Sequence, residues 1–518
     1  MTSEARLWTG GRIYTGRRVA EALLVEDGRV VAAGPARAVV PLAATGTERF
    51  DLAGRSIVPG LIDAHVHLTE IARQREGLDL TGTTSADDLV AAVGRWREGR
   101  PGGAVAGRGW DPERWGDRRW PDRRALDRAV PGAVAVLYHA SGHAALANEV
   151  ALAAIGLDPN RAAPEDPTIG RFADGRPNGL LFEEAMGPLG ALVADAVPTG
   201  PRELARVLAD LSGQGITAVG SMSTPPGELD ALRTLAASGE LPVTVRGYVR
   251  LGRWRTLSAG ERGVAGDRVA VAGVKVFLDG AFGPRTAWLS EEYADAPGVV
   301  GVPVGDEADL AREIADLRTE GLAPALHAIG DRAVARALRL IASTGGGESA
   351  PARIEHAGLV PPDLLAAFDC PRPMAVVQPG FVWSDGWLEA RLGRARARWA
   401  YPFRTLLDRG IPIAGSSDAP FDPSDPWRGL RAAVARRGPD GRSANPSIRE
   451  ALAPEQALAL YTRGAAAAIG LPGHGTLEAG APADLAVLDA PSLATAIGQA
   501  GNPVRETWVA GRRRPSTG

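Results

Sequence analysis

The sequence contains one cysteine and one lysine among 518 residues. Cys370 has no second cysteine with which to form an intramolecular disulfide, and no paired-cysteine metal motif is present. We interpret Cys370 as a thiol in a loop or at a strand edge, which fits a reducing compartment. Arginine or proline interrupts every longer apolar run, and residues 1–16 lack the apolar centre of a signal peptide. We therefore expect a cytoplasmic protein with no membrane span.

A strong excess of one charge is also missing. The formal net charge is −3 and the isoelectric point is near 6.2, with no block of basic residues. Because nucleic-acid-binding domains concentrate basic residues on one face, we expect no nucleic-acid partner. The 45% of hydrophobic residues is typical of a globular protein, and 518 residues are too many for one small core. We expect one large barrel with additions, or two to three domains.

The single lysine lies in an apolar run. Lysine and arginine together number 58, and only Lys275, within residues 274–278, is a lysine. Most basic residues lie on solvated faces, so a surviving lysine would seldom fall inside such a run by chance. Arginine cannot replace lysine where an amine must lose its proton to act as a nucleophile or become a carbamate. We therefore interpret Lys275 as a chemically active group.

Eight apolar strands, with helical stretches between most of them, predict a (β/α)8 TIM barrel. The predicted strands are residues 61–68, 216–221, 243–249, 274–278, 323–327, 354–356, 375–378 and 411–414. Residues 454–469 predict a helix after the barrel. Both ends of the chain predict β structure, with a hairpin at 22–33 around Asp27-Gly28 and further short strands and turns at 475–477, 483–488 and 507–512.

These elements define the predicted domains. Residues 1–60 and 470–518 together form a small β domain, and residues 61–469 form the barrel. Within the barrel, residues 70–200 are an insertion after the first strand, with weak helical stretches at 85–98 and 144–155. The insertion contains clustered tryptophans at positions 110, 115 and 120. We expect it to form a lid or a wall of the substrate pocket.

Residues of metal-binding type fall at the ends of the predicted strands. They are His65 and His67 on the first strand, Lys275 on the fourth, His327 on the fifth, His356 on the sixth and Asp418 after the eighth. Strand residues i and i+2 point to the same side, so both histidines of the first strand can face one ion. The carboxyl ends of barrel strands share one mouth, where all six side chains can converge.

This constellation resembles the amidohydrolase superfamily with a two-metal centre. The surrounding motifs resemble the branch of amidohydrolase family 3 type that includes N-substituted formamide deformylase. They are GLIDAHVH at 60–67, KVFLDG at 275–280, PRTA at 284–287, HAIGD at 327–331, IEHA at 354–357, SDAP at 417–420, GWD at 109–111, GHA at 142–144 and ADL at 483–485. The resemblance covers essentially the whole chain. It implies that the termini form a β-sandwich and that the insertion covers the barrel mouth.

One departure from the family pattern affects the substrate. Where relatives often carry histidine or aspartate after the second strand, this chain has VGSM at 219–222. A contact with the substrate, or with a residue behind the ligands, is therefore expected to differ here.

The resemblance also implies the cofactors. Two divalent ions, Zn²⁺ first with Mn²⁺, Fe²⁺, Co²⁺ or Ni²⁺ possible, would be bridged by a carbamate formed from CO₂ and Lys275. One ion would be held by His65, His67 and Asp418, and the other by His327 and His356. A metal-bound hydroxide would attack the substrate carbonyl, with Asp418 as proton shuttle.

Other candidates are less specific. Substrate-binding candidates are Trp110, His143, Phe282 and Arg285, and candidates for support behind the metal ligands are Asp279 and Asp331. A surface or capping role for His143 is about as likely, and aromatic residues more often belong to the core. Arg285 can pair with a substrate carboxylate or with Asp279. His139 and His474 are interpreted as structural.

The sequence thus predicts a metal-dependent hydrolase that cleaves a C–N bond, in an amide of N-formyl or N-acyl type. Hydrolysis of a cyclic amide, carbamate or lactone at the same site stays open. A Schiff-base lyase would use the lysine but leave four histidines unexplained. A metal-free scaffold would be expected to have lost ligands. The expected partner is a small-molecule amide, and a homodimer is possible.

Overall fold

The computed structural model describes residues 4–100, 102–194, 196–197, 199–258, 261, 268–345, 351–369 and 372–514. Cys370 lies outside these residues. The chain divides into two compact units. The first comprises Met1–Leu68, Gly200–Val276 and Asp306–Gly518, and the second comprises Thr69–Thr199 and Phe277–Gly305.

The first unit contains an eight-stranded parallel barrel, which confirms the predicted fold class. Its strands follow one another in chain order around the sheet. They are β1 (Leu61–Val66), β2 (Ile216–Met222), β3 (Thr244–Arg250), β4 (Val269–Phe277), β5 (Ala323–Ala328), β6 (Arg353–His356), β7 (Met374–Val377) and β8 (Ile413–Gly415). Just beyond β8, Asp418 N–H donates to His65 O at 2.8 Å and His67 N–H donates to Ala419 O at 2.9 Å, which ties the last strand to the first.

Amphipathic helices cover the outside of the barrel. The longer ones are Pro201–Gly213, Pro226–Ala237, Glu307–Thr319, Asp331–Ser343 and Pro426–Ala435. Glu307–Thr319 shows why such segments are helical: Asp306 caps its first turn, and Leu310, Ile314 and Leu317 bury one face. The predicted helix at 454–469 is present as Pro454–Ala459, a π-helical turn Leu460–Gly464, and Ala465–Ala468.

Both ends of the chain form the β-sandwich. One sheet holds Ala5–Thr9, Ala22–Glu26, Arg29–Gly34 and Glu48–Asp51, and the other holds Arg12–Tyr14, Val19–Ala20, Ser56–Pro59, Leu485–Leu488, Val504–Val509 and Arg512–Arg513. The termini meet where Ser56–Pro59 pairs with Leu485–Leu488. The predicted hairpin turns at Asp27 (φ 48°) and Gly28 (φ 77°), the conformation that tight hairpins require. Of the short strands and turns predicted near the C-terminus, residues 475–477 are irregular, and the strands are Leu485–Leu488 and Val504–Val509.

The second unit is built on a separate six-stranded sheet. Its strands are Leu78–Asp79, Val105–Trp110, Ala135–His139, Ala144–Ala147, Ile169–Arg171 and Pro177–Phe182, and its helices include Ala86–Glu98, Arg123–Ala129 and Glu149–Ala154. The helix predicted over 144–155 is wrong in its first half. Ala144–Ala147 pairs as a strand, and Asn148 caps the helix that follows by accepting from Ala151 N–H. The unit also includes Phe277–Gly305, which the predicted insertion does not.

The length and composition of the helices show whether any of them could cross a membrane. Within the described ranges, none combines the length and the apolar character that crossing a bilayer requires.

Candidate metal centre

The first two histidines of the centre come from the end of β1. His65 and His67 lie on one face of the chain, and both are buried. The Nε2 atoms of these two rings approach the same atom, Asp418 Oδ1, at 3.1 and 3.2 Å. Burial lowers the pKa of His67 to about 4, so its ring is neutral near pH 7 and has a lone pair for an ion.

The segment after β8 presents Asp418 to these rings. Its backbone adopts the left-handed region (φ 59°), an uncommon conformation for a residue other than glycine. The neighbouring Ser417 is anchored by Asp63, which accepts from Ser417 N–H at 3.0 Å and from Ser417 Oγ at 2.5 Å. Burial opposes ionisation of Asp418, but the adjacent His65 and His67 rings hold the pKa of this carboxyl well below its usual range.

His327 and His356 are two further rings of the centre. Their ring centroids are 4.5 Å apart, and His356 Nδ1 lies 3.9 Å from Asp418 Oδ2. Burial lowers the pKa of His356 to about 3, so this ring is also neutral. His356 ends β6 in the left-handed region (φ 73°), an uncommon conformation for a residue other than glycine.

Lys275 lies inside the same cluster. Its side chain is buried on β4, and its Nζ is 3.5 Å from His65 Nε2. Burial lowers the pKa of Lys275 to about 8, because the interior disfavours the charged ammonium. A larger share of the amine is therefore neutral near pH 7 than in a solvent-exposed lysine.

The donor set fits a divalent ion. Ligand atoms of His65, His356 and Asp418 lie within 4.8 Å of one another. Asp418 Oδ1 is buried and accepts no hydrogen bond from the described part of the chain, although it faces two imidazole nitrogens. A buried carboxylate oxygen without a donor is costly unless a cation satisfies it. Nitrogen and oxygen ligands of this kind suit Zn²⁺ and neighbouring transition metals.

Three residues that support the ligands were not predicted. Glu355 Oε2 contacts His65 Nδ1 at 2.6 Å, Arg353 pairs with Glu355, and Gln378 Oε1 contacts His356 Nδ1 at 2.8 Å. A signal was available for the first two, since Arg353 and Glu355 are opposite charges at i and i+2 on one face of an apolar strand. No local pattern marks Gln378, because its partner lies on the neighbouring strand.

Predicted residues of the second unit fall into two groups. His143 contacts Glu183 Oε2 through Nδ1 at 2.8 Å. Trp110 is fully buried, donates from Nε1 to Leu137 O at 2.9 Å and packs on His139. Trp110 and His139 therefore have the surroundings of core residues, whereas His143 is 13% exposed and has a carboxylate behind it.

The remaining predicted residues are placed as follows. Phe282 is buried, and Arg285 forms a two-point ion pair with Asp295. This ion pair uses the Nε and Nη2 edge of the guanidinium, and pairing of Arg285 with a substrate carboxylate or with Asp279 stays a prediction. Asp279 is buried and accepts from Trp288 N–H at 2.9 Å. Asp331 begins the helix Asp331–Ser343, and support of the ligands by Asp279 or Asp331 stays a prediction.

The sequence is similar to those of known proteins. Residues 48–514 match the model of the amidohydrolase family. The Bacillus subtilis (strain 168) protein YtcJ, named as an amidohydrolase, is 33% identical over 93% of this chain and 94% of its own length. N-substituted formamide deformylase of Arthrobacter pascens is 27% identical over 93% of this chain and 92% of its own length.

A solved structure resembles the whole molecule. It is an uncharacterized metal-dependent hydrolase from Pyrococcus horikoshii OT3, with 31% identity, a TM-score of 0.77, and coverage of 96% of this chain and 99% of that one. A parallel barrel with histidines and an aspartate at its strand ends thus defines this protein as a metal-dependent hydrolase. The chain belongs to the amidohydrolase family, which confirms the resemblance inferred from its motifs.

Proposed function

We propose that this hydrolase cleaves the C–N bond of a linear amide, with N-formyl and N-acyl amines as the first substrates. The observation that carries the proposal is the position of Asp418. One of its oxygens faces His65 and His67 and has no hydrogen-bond donor among the described residues, and the other lies 3.9 Å from His356 Nδ1. A carboxylate so placed can bind an ion and still exchange a proton with a reacting group.

We propose two divalent ions, Zn²⁺ first, with Lys275 as a carbamate between them. When bound, such ions lower the pKa of water and polarise a carbonyl group. His65, His67 and Asp418 would hold one ion, and His327 and His356 the other. The neutral amine of Lys275 would attack CO₂ and release one proton to solvent, and its lowered pKa of about 8 favours that form.

Asp418 would carry the proton of the reaction. As a water oxygen adds to the amide carbon, the carboxylate of Asp418 takes one proton from that water. It then gives this proton to the nitrogen as the C–N bond breaks, so that the amine leaves neutral and a carboxylic acid remains. The His65 and His67 rings hold the pKa of Asp418 well below its usual range, so this carboxylate is ionised before the reaction begins.

The comparisons support the substrate class indirectly. N-substituted formamide deformylase of Arthrobacter pascens matches nearly the full chain at 27% identity, and its name states an N-formyl substrate. We propose a small-molecule amide of that class as the partner, and the cytoplasm as the compartment.

Metal analysis followed by a substrate panel tests the proposal. Protein purified without chelators should contain close to two transition-metal equivalents and should hydrolyse N-formyl or N-acyl amines. The panel should include cyclic amides, carbamates and lactones, and exclusive turnover of these would replace the linear-amide proposal. His474→Ala is a matched control, because His474 also pairs with a carboxylate, Asp484, at 2.9 Å, but is not one of the ligands. A folded, active chain without metal would contradict the proposal.

A further inference from the structure

Two histidines of the metal centre are held from behind by different chemical groups. His65 Nδ1 contacts a carboxylate, Glu355 Oε2, at 2.6 Å. His356 Nδ1 contacts a carboxamide, Gln378 Oε1, at 2.8 Å. In both rings Nδ1 is the donor, because both partner atoms accept, and Nε2 is left to bind an ion.

The charge of Glu355 is held in place by Arg353. The guanidinium donates to both carboxylate oxygens, at 2.8 and 3.0 Å, and all of these side chains are fully buried. Its remaining donors reach Ala64 O at 2.8 Å and Ala468 O at 3.2 Å. A two-point arginine pair of this kind fixes both the geometry and the ionised state of a carboxylate. His65 therefore donates to a permanent anion.

Gln378 is held equally firmly but is neutral. Its Nε2 donates to Ser416 Oγ at 2.9 Å and to Val376 O at 3.3 Å. These contacts determine the orientation of the amide, because the nitrogen must face two acceptors and the oxygen must face His356. The two supporting side chains, Glu355 and Gln378, are thus both held firmly by hydrogen bonds, and they differ in charge.

We propose that this difference makes the two ions of the centre unequal. A carboxylate behind a histidine raises the basicity of the ligating nitrogen more than a neutral amide does. The ion at His65, His67 and Asp418 is then the firmly bound one, and the ion at His327 and His356 is the exchangeable one. This inference rests on the two-ion centre of the proposed function.

The number of ligands also favours the first ion, so the test must change charge without removing a ligand. Glu355→Gln removes the charge behind His65, and Gln378→Glu adds one behind His356. Metal-stripped protein is titrated with Zn²⁺ against a chromophoric chelator at fixed pH, which gives a dissociation constant for each ion. Asp484→Asn, behind the remote His474, is the matched control and should leave both constants unchanged.

Glu355→Gln should weaken the tighter ion by about 10- to 100-fold and leave the weaker ion unchanged. Gln378→Glu should strengthen only the weaker ion. Glu355→Gln leaves Arg353 without its counter-charge, so thermal unfolding of the metal-free variants checks that they fold. Gln378→Glu leaves the Arg353–Glu355 pair intact and is therefore an independent test.

The outcomes separate this inference from the proposed function. If the wild-type protein binds both ions with equal affinity, this inference is wrong but the proposed function stands. The same holds if the two Zn²⁺ dissociation constants do not change in variants that fold. A wild-type chain that takes up no Zn²⁺ overturns both.

Discussion

The two units of the molecule each contain a histidine paired with a glutamate through Nδ1. His65 and Glu355 in the first unit are 2.6 Å apart, and His143 and Glu183 in the second are 2.8 Å apart. The first pair is completely buried, and Arg353 binds both oxygens of its carboxylate. The second pair is partly exposed, and Glu183 Oε1 is buried with no hydrogen-bond partner in the ranges that the structure describes.

Backbone conformation adds to the contrast. Glu183 has φ 46°, in the left-handed region, and a Cβ on Gly280 would lie 2.0 Å from Glu183 Oε1. Only glycine at position 280 leaves room for this carboxylate. Strained residues and unsatisfied polar atoms tend to occur where a protein binds or reacts. We therefore interpret the His65–Glu355 pair as a fixed support, and we predict that the His143–Glu183 pair contributes to ligand binding.

The largest effect is expected at Lys275, at the centre of the first region. Lys275→Arg should abolish activity and prevent binding of the paired ions, because a guanidinium stays cationic and cannot form a carbamate. Metal content and turnover are the measurements. Short carboxylic acids should restore some activity to Lys275→Ala by occupying the bridging position. An active wild-type enzyme with both ions and no added mass of CO₂ on Lys275 would eliminate the carbamate.

The next effect separates proton transfer from metal binding in the same region. Asp418→Asn should keep most of the metal but lower kcat by about 100-fold or more, since the amide cannot accept the proton. Metal analysis and steady-state kinetics on one preparation measure both. A near-normal kcat would assign the proton transfer to another group.

The third prediction tests whether Trp110 belongs to the core of the second region. Trp110→Ala should destabilise the protein by about 3–5 kcal/mol, because it removes a fully buried indole and leaves a cavity. Chemical denaturation measures the change. Trp120→Ala is the control, since Trp120 is only partly buried and should cost less. An unchanged stability with a shifted substrate preference would instead make Trp110 a pocket residue.

The smallest effect is expected for the His143–Glu183 pair, and it tests whether this pair differs in role from His65–Glu355. Glu183→Gln and His143→Gln should each raise KM by about tenfold, which corresponds to one lost hydrogen bond to a polar group. Metal content should stay at the wild-type level, unlike in Glu355→Gln. Kinetics across the substrate panel, with metal analysis alongside, distinguish the two regions. If Glu183→Gln lost metal, Glu183 would support the metal centre as Glu355 does, and the two pairs would not differ in role.

The local sequence pattern was sufficient to predict most of the barrel. Each barrel strand overlaps a predicted one, because an apolar run between polar helices is a signal that needs no distant partner. The hairpin at Asp27-Gly28 and the helix from Pro454 were predictable for the same reason. The motif around His65 and His67 likewise indicated the family, because the spacing of ligands on one strand is local.

Contacts between residues that are distant in the sequence could be identified only from the tertiary structure. Ala144–Ala147 resembles a helix in sequence and is a strand, since a neighbouring strand supplies its hydrogen bonds. Gln378 and Glu183 contact histidines that lie 22 and 40 residues away along the chain. His356 and Asp418 also adopt the left-handed backbone region, which the local sequence pattern did not indicate. The sequence by itself thus determined which ligand types stand at which strand ends. Only the fold decided which charge stands behind each histidine, because that depends on contacts between distant segments.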